Sequence, residues 1–319
     1  MAWRTWQQAW QDSLYADGGF YRQSAGPAAH FATSAQGIPG SGPLLASAVV
    51  ALTRRYGCDS VLEIAAGRGE FLTELARTAP DLRLHGVDVA PRPDGLPDGA
   101  AWTTAVGGAG LPPTLHGLQN TLVFAHEWLD VVPCPVVEFD AHVWRIVEVA
   151  DSGEERLGDP VDDGDLQWLQ RFWPGSPQQG DRAEIGSTRD AAYATLRERV
   201  VSGVVVVVDY GHLAHERPVH GTLLGFRDGA ACPPLPDRST DITAHVAIDS
   251  LAGPEVERVR QRQVFAQLGI TRPAPEIALA ATDPPAYLQA LAERSALATL
   301  TSADGLGDFW WLLEKRPGD

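Results

Sequence analysis

Two patterns of apolar and polar positions alternate along this 319-residue chain. Short apolar runs rich in branched residues occur at 61–64, 82–88, 121–126 and 204–209, with a last one, FWWLLEK, at 309–315. Between them, apolar residues recur every three or four positions: Leu44, Leu45, Val49 and Leu52 in 43–56, Phe71, Leu72, Leu75 and Ala76 after the first run, then 188–200, 257–268 and 284–297. The first pattern predicts buried strands and the second predicts helices packed on them. Strands that alternate with helices become parallel neighbours joined by right-handed crossovers. The expected architecture is therefore an α/β fold with a seven-stranded, mostly parallel sheet. Strand 61–64 is expected at its centre, a short edge strand at 101–105, and 309–315 antiparallel near one edge.

Two regions interrupt the alternation. Residues 1–60 open with an amphipathic helix carrying Trp3, Trp6 and Trp10, then a Gly/Ala/Ser-rich stretch from 18 to 42 and the 43–56 helix. Such a long irregular stretch inside a compact domain is expected to cover a site. Residues 136–187 read as an insertion: a hairpin, VVEFD then HVWRIVEV, and an acidic loop from Asp151 to Asp165, together forming a cap region. Residues 61–135 and 188–319 are then two halves of one ligand-binding domain.

The stretch VLEIAAGRGEF at 61–71 reads as strand, tight loop, helix. Gly67 and Gly69 leave no Cβ in the way, so backbone can press against a flat ligand at the carboxyl end of the strand. The second strand closes on Asp88, whose carboxylate can hold both hydroxyls of a ribose. NAD and S-adenosylmethionine (SAM) both fit this outline. A dinucleotide fingerprint needs a third glycine, and Leu72 stands there. Glu63, just before the loop, disfavours a pyrophosphate but suits the cationic methionine end of SAM, which is the expected cofactor.

Composition narrows the partners. A formal charge of −16 argues against a nucleic-acid or anionic-membrane surface, because phosphate binding needs clustered Lys and Arg. The Val204–Val208 run is far below the roughly 20 apolar residues of a membrane span, and the Trp-containing start lacks the apolar core of a signal peptide. Three well-separated cysteines imply neither a disulfide framework nor a zinc knot, which fits a reducing cytoplasm. His212, His215 and His220 have no companion ligands at metal spacing, so no metal is expected.

Methyl transfer from a sulfonium needs alignment and desolvation, with a base only if the acceptor arrives protonated. Glu127 and Asp130, at the end of the 121–126 strand, can point into one pocket beside the cofactor and grip a guanidinium. They can equally be a loop anchor and a helix cap. Asp209 and Tyr210 lie at the end of another strand, on the edge where such sheets bind ligands. His245 either orients a site carboxylate or satisfies a buried hydrogen bond.

Together these segments resemble the MidA-like family of SAM-dependent methyltransferases, which includes mitochondrial complex I assembly enzymes acting on a protein arginine. The resemblance rests on LEIAAGRGEFL (62–72), FAHEWLDVVPC (124–134), VVDYG (207–211), GTLLGFRDG (221–229), DITAHV (241–246) and RQVFAQLGI (262–270), in family order. It implies a Rossmann-like class I methyltransferase with Thr33, Glu63, Ala65, Gly67, Gly69, Asp88, Val89 and His126 around the cofactor. It places Glu127, Asp130, Asp209, Tyr210 and His245 in catalysis, and it implies a protein substrate methylated on arginine. The chain departs from the family pattern at Ala65, a glycine there, at His126, an asparagine there, and at His30 and Gln36, where acids are expected. The first two departures motivate a catalytically inactive SAM-binding scaffold as one alternative, and the altered N-terminal segment motivates a small-molecule O- or N-methyltransferase as the other.

Overall fold

The computed structural model describes residues 2–23, 38–173, 175–251, 253 and 255–318. Among them, seven strands form the main sheet in the order Glu257–Arg260, Trp310–Pro317, Ser202–Asp209, Thr121–His126, Ser60–Ile64, Arg83–Asp88, Ala101–Thr104. The last five are parallel to one another. Trp310–Pro317 runs antiparallel to both of its neighbours. The sheet is thus mixed rather than mostly parallel throughout, and the Thr121–His126 strand, not 60–64, is its middle member. Residues 257–260 were expected to begin a helix; they form the edge strand instead, and the helix starts at Gln261. Val259 alternates with polar neighbours in ERVR, a period of two that the following helical pattern obscured.

Each strand buries alternate residues on opposite faces. Val61, Leu122, Phe124, Val204, Val206 and Trp311 pack on one face with Leu44, Leu45 and Val49 of the Ser41–Arg55 helix and Leu72 of the Glu70–Thr78 helix. Leu62, Ile64, Val123, Val205, Val207 and Leu312 pack on the other with Tyr193 and Leu196 of the Ser187–Arg199 helix. Coverage on both sides explains why VVVVV is continuous rather than alternating.

A second, antiparallel sheet joins Val136–Asp140, Val143–Val149, Glu155–Pro160 and Arg182–Glu184 with the N-terminal Arg4–Thr5. Part of the expected acidic loop is therefore a strand, followed by the Asp163–Phe172 helix. The N-terminal helix Trp6–Tyr15 starts with a capping box between Thr5 and Gln8. Trp6 and Trp10 are fully buried, seating the helix against Val136 and Val149 of this sheet and against Ile242 and Ala244. None of the described helices is long and apolar enough to cross a membrane.

Candidate active site

At the carboxyl ends of the parallel strands lies a cavity of about 820 Å³. Glu63, Ala65 and Gly67 from the first loop, Asp88 and Val89 from the second strand, and His126, Glu127 and Asp130 from the middle strand all line it. Tyr210 and His245 join them from the opposite wall. Gly69 and Asp209 do not line it, and Thr33, His30 and Gln36 lie outside the described residues. Nor does the inserted sheet line it; that sheet holds the wall from behind, through Glu184, which accepts the Thr222 and Leu223 amides at 2.8 and 3.1 Å.

On the cofactor side, the loop turns sharply through left-handed backbone at Ala65 (φ 58°), Gly67 (φ 56°) and Gly69 (φ 73°). A Cβ on Gly69 would also meet the Leu96 side chain at 2.5 Å, so that glycine shapes the loop without touching the cavity. Asp88 accepts the amides of Gly67 (2.8 Å) and Ala90 (2.9 Å). Burial raises its pKa to about 6, against the opposing pull of those amides. Glu63 is 5% exposed and its Oε2 has no hydrogen-bond partner. Burial, then Asp88 and Glu70, push it well above the carboxylate range. An orphaned buried carboxyl beside a second one calls for a cation. The sulfonium and ammonium groups of SAM fit there, and the Asp88 oxygens keep lone pairs free for ribose hydroxyls.

On the facing wall, Glu127 sits in left-handed backbone (φ 50°) immediately after its strand. A bulky non-glycine residue holding that conformation is a mark of a functional turn. Its neighbour His126 is held at a pKa of about 3 by burial, so their 3.4 Å contact joins a neutral imidazole to Glu127. Asp130 is buried; its Oδ2 accepts the hydroxyls of Thr243 (2.7 Å) and Tyr210, while its Oδ1 has no partner. Burial raises its pKa and the two hydroxyl bonds oppose the rise.

Asp209 has a different place from the one expected. It is fully buried behind the wall, where it accepts the backbone N–H groups of Leu129 (2.9 Å), Asp130 (3.2 Å) and Tyr210 (3.0 Å). It fixes the turn that presents Asp130 and Tyr210. His212 is also buried away from the cavity, with Nδ1 2.7 Å from Arg217. Among the described residues no group of three or more His, Cys, Asp or Glu side chains converges to hold a metal.

Several site residues escaped the sequence reading. Asp241 lines the cavity and accepts the Tyr21 hydroxyl at 2.7 Å. Tyr15 reaches in from the N-terminal helix and donates to the Val131 carbonyl at 2.9 Å. Arg189, 1% exposed, donates to the carbonyls of Asp130, Val132, Ala244 and His245, clamping two wall segments together. The signal for Asp241 was present: in DITAHV, residues 241, 243 and 245 face the cavity while Ile242 and Ala244 face the core, a period of two.

A search of curated proteins finds no match. Two crystal structures of COG1565 superfamily proteins from Burkholderia thailandensis share the fold, each with a TM-score of 0.76. One, of a protein described as uncharacterized, is 23% identical over 99% of this chain and 88% of that one. The other, bound to S-adenosyl-homocysteine, is 24% identical over 99% of this chain and 89% of that one. Residues 98–260, just over half the chain, match the family described as "Putative S-adenosyl-L-methionine-dependent methyltransferase". The chain belongs to that family, and its cofactor is S-adenosyl-L-methionine.

Proposed function

We propose that this methyltransferase acts on a cationic nitrogen, the guanidinium of an arginine in a protein substrate, as in the MidA-like enzymes it resembles. The observation that carries the reading is the excess of carboxylic over basic side chains on the cavity wall. Among the described lining residues, eight carboxylic side chains face two arginines, Arg68 and Arg260. A wall of that sign repels phosphates and carboxylates and favours cations.

Glu63 holds the ammonium and sulfonium end of the cofactor and Asp88 its ribose. The bound cofactor supplies an electrophilic methyl group on sulfur. Glu127 and Asp130 grip the guanidinium, a planar fork that matches paired carboxylate acceptors. Tyr210 and Thr243 hold Asp130 in place by donating to one oxygen, which leaves the other for the acceptor. Burial of Asp130 makes the grip depend on the acceptor's charge, because an unpaired buried anion is costly.

Incubation with methyl-tritiated SAM and a cell lysate tests this reading. Label in the protein fraction, released as methylated arginine on hydrolysis, is expected. Label confined to small molecules would favour a small-molecule acceptor. No label in either fraction, despite SAM binding, would favour a scaffold role.

A further inference from the structure

The wall opposite the cofactor loop holds two buried carboxylates in different settings. Asp130 has one oxygen committed to two hydroxyl donors. Asp241 stands two residues before Thr243 in the Asp241–Thr243 strand, on the same face and about 7 Å along it. It is 3% exposed, it lines the cavity, and its side-chain hydrogen bond comes from a single hydroxyl, Tyr21.

We propose that Asp241 is the base that takes the proton from the methyl acceptor nitrogen. The inference rests on the cationic-acceptor reading above. A guanidinium nitrogen has its lone pair delocalised and its N–H bonds intact, so transfer without proton removal would leave a doubly charged product. In the step proposed, the nitrogen forms a bond to the methyl carbon, and the carbon–sulfur bond breaks with its electron pair going to sulfur. One N–H proton passes to the Asp241 carboxylate. The sulfonium charge disappears, the product keeps the single charge of a methylated guanidinium, and Asp241 ends as a neutral carboxylic acid.

The division of labour follows from the surroundings. The charged and titratable groups facing Asp241 are Tyr21 from the 20–22 turn, Tyr15 from the N-terminal helix and Asp130 from the middle-strand loop, whose own oxygen is taken by Tyr210. Arg189 is turned to backbone carbonyls behind the wall, and Arg227 on the adjoining strand is turned to Asp237 and Thr240. Burial and the nearby Asp130 raise Asp241 to about 8, with the Tyr21 bond opposing them. Two carboxylates whose environments differ in this way suit different roles: Asp130, held by two hydroxyl donors, binds, while Asp241, with one, exchanges a proton. A base is most effective when its pKa lies near the working pH.

Methyl transfer from tritiated SAM to lysate protein, measured from pH 6 to 9.5, tests the proposal. The parent rate is expected to rise with pH to a plateau, because Asp241 must be ionised. Asp241→Asn should lower the plateau by roughly a hundredfold or more, the usual size of general-base catalysis, and abolish the rising limb. Its SAM affinity by calorimetry should stay within about threefold, well under the 1.4 kcal/mol of a tenfold change. Tyr21→Phe keeps the base but removes its donor, so the rising limb should move to higher pH. An Asp241→Asn variant with the parent rate and profile overturns the proposal while leaving the acceptor reading intact. Loss of SAM binding in that variant also overturns it, by moving Asp241 to the cofactor site. A parent protein that labels no protein overturns both readings together.

Discussion

The Gly67 amide donates to the Asp88 carboxylate at 2.8 Å, tying the first loop to the end of the second strand. One side chain thus shapes the glycine loop, and in the proposed reading its remaining lone pairs receive the ribose.

Asp88→Ala is therefore expected to weaken SAM binding roughly tenfold to a hundredfold, the equivalent of about 1.5–3 kcal/mol for a hydrogen bond to a charged group. Isothermal calorimetry measures it directly. Unchanged affinity would remove Asp88 from the cofactor site.

Glu127→Gln keeps the size of the side chain and removes its charge. Transfer to a guanidinium acceptor should be lost, while SAM affinity changes little if, as proposed, Glu63 and Asp88 hold the cofactor. If a direct titration shows SAM binding lost instead, Glu127 belongs with the cofactor and the acceptor must be held by Asp130 and Asp241.

Ala65 adopts φ 58° where the resembling family has glycine. An L residue in left-handed backbone costs roughly 1–2 kcal/mol, partly offset by the entropy a glycine loses on folding. Ala65→Gly should raise stability by about 1 kcal/mol or leave it level, and should preserve SAM binding. A clear loss of thermal stability would show that the alanine methyl contributes packing that outweighs the strain.

Stability should depend on pH in a set direction. Asp88 and Asp241, raised to about 6 and about 8, keep protons that the unfolded chain releases near pH 3.9. Their contribution is present below that pH and is lost as pH rises through their folded values. Glu63 and Asp209, raised well above the carboxylate range, act in the same sense. His126 and His212, both held at about 3, contribute above pH 6.5 and lose that contribution as pH falls. From about pH 7.5 to 8.5 the histidines are neutral in folded and unfolded chain alike, while the raised carboxyls, joined by the Cys58 and Cys134 thiols that burial lifts to about 11, hold more protons in the folded chain, so the thermal midpoint of the cofactor-free protein should fall. Asp241→Asn should flatten that fall, and a midpoint that climbs across the window would contradict the assignment.

Much of this was legible because it depends on local pattern. A β-branched run such as Val204–Val208 makes a buried strand in almost any α/β setting, and glycines after an apolar strand make a tight loop. Glu63 and Asp88 could be read for the same reason: each sits where a strand ends, and strand ends converge at one edge of a parallel sheet. Asp209 shares that position but, unlike Glu63 and Asp88, does not line the cavity. Its strand end is enclosed by the turn at 129–130, and a carboxylate there meets backbone amides rather than a ligand.

What the sequence alone determined about this protein is most of the main-sheet strands and their helices, the tight glycine loop after 61–64 and the acidic strand ends, all of which follow from period, branching and backbone freedom within a few residues. Only the tertiary structure decided that Glu257–Arg260 is a strand and that it pairs outside Trp310–Pro317, the antiparallel strand the sequence had already placed near this edge. It alone brought Tyr21 to Asp241 and Arg189 to four carbonyls of distant wall segments. Those contacts join residues up to 220 positions apart, and nothing in either residue's neighbours specifies the other. They exist because burying both sheet faces forces these loops together, and buried polar groups then take whatever partners that packing supplies.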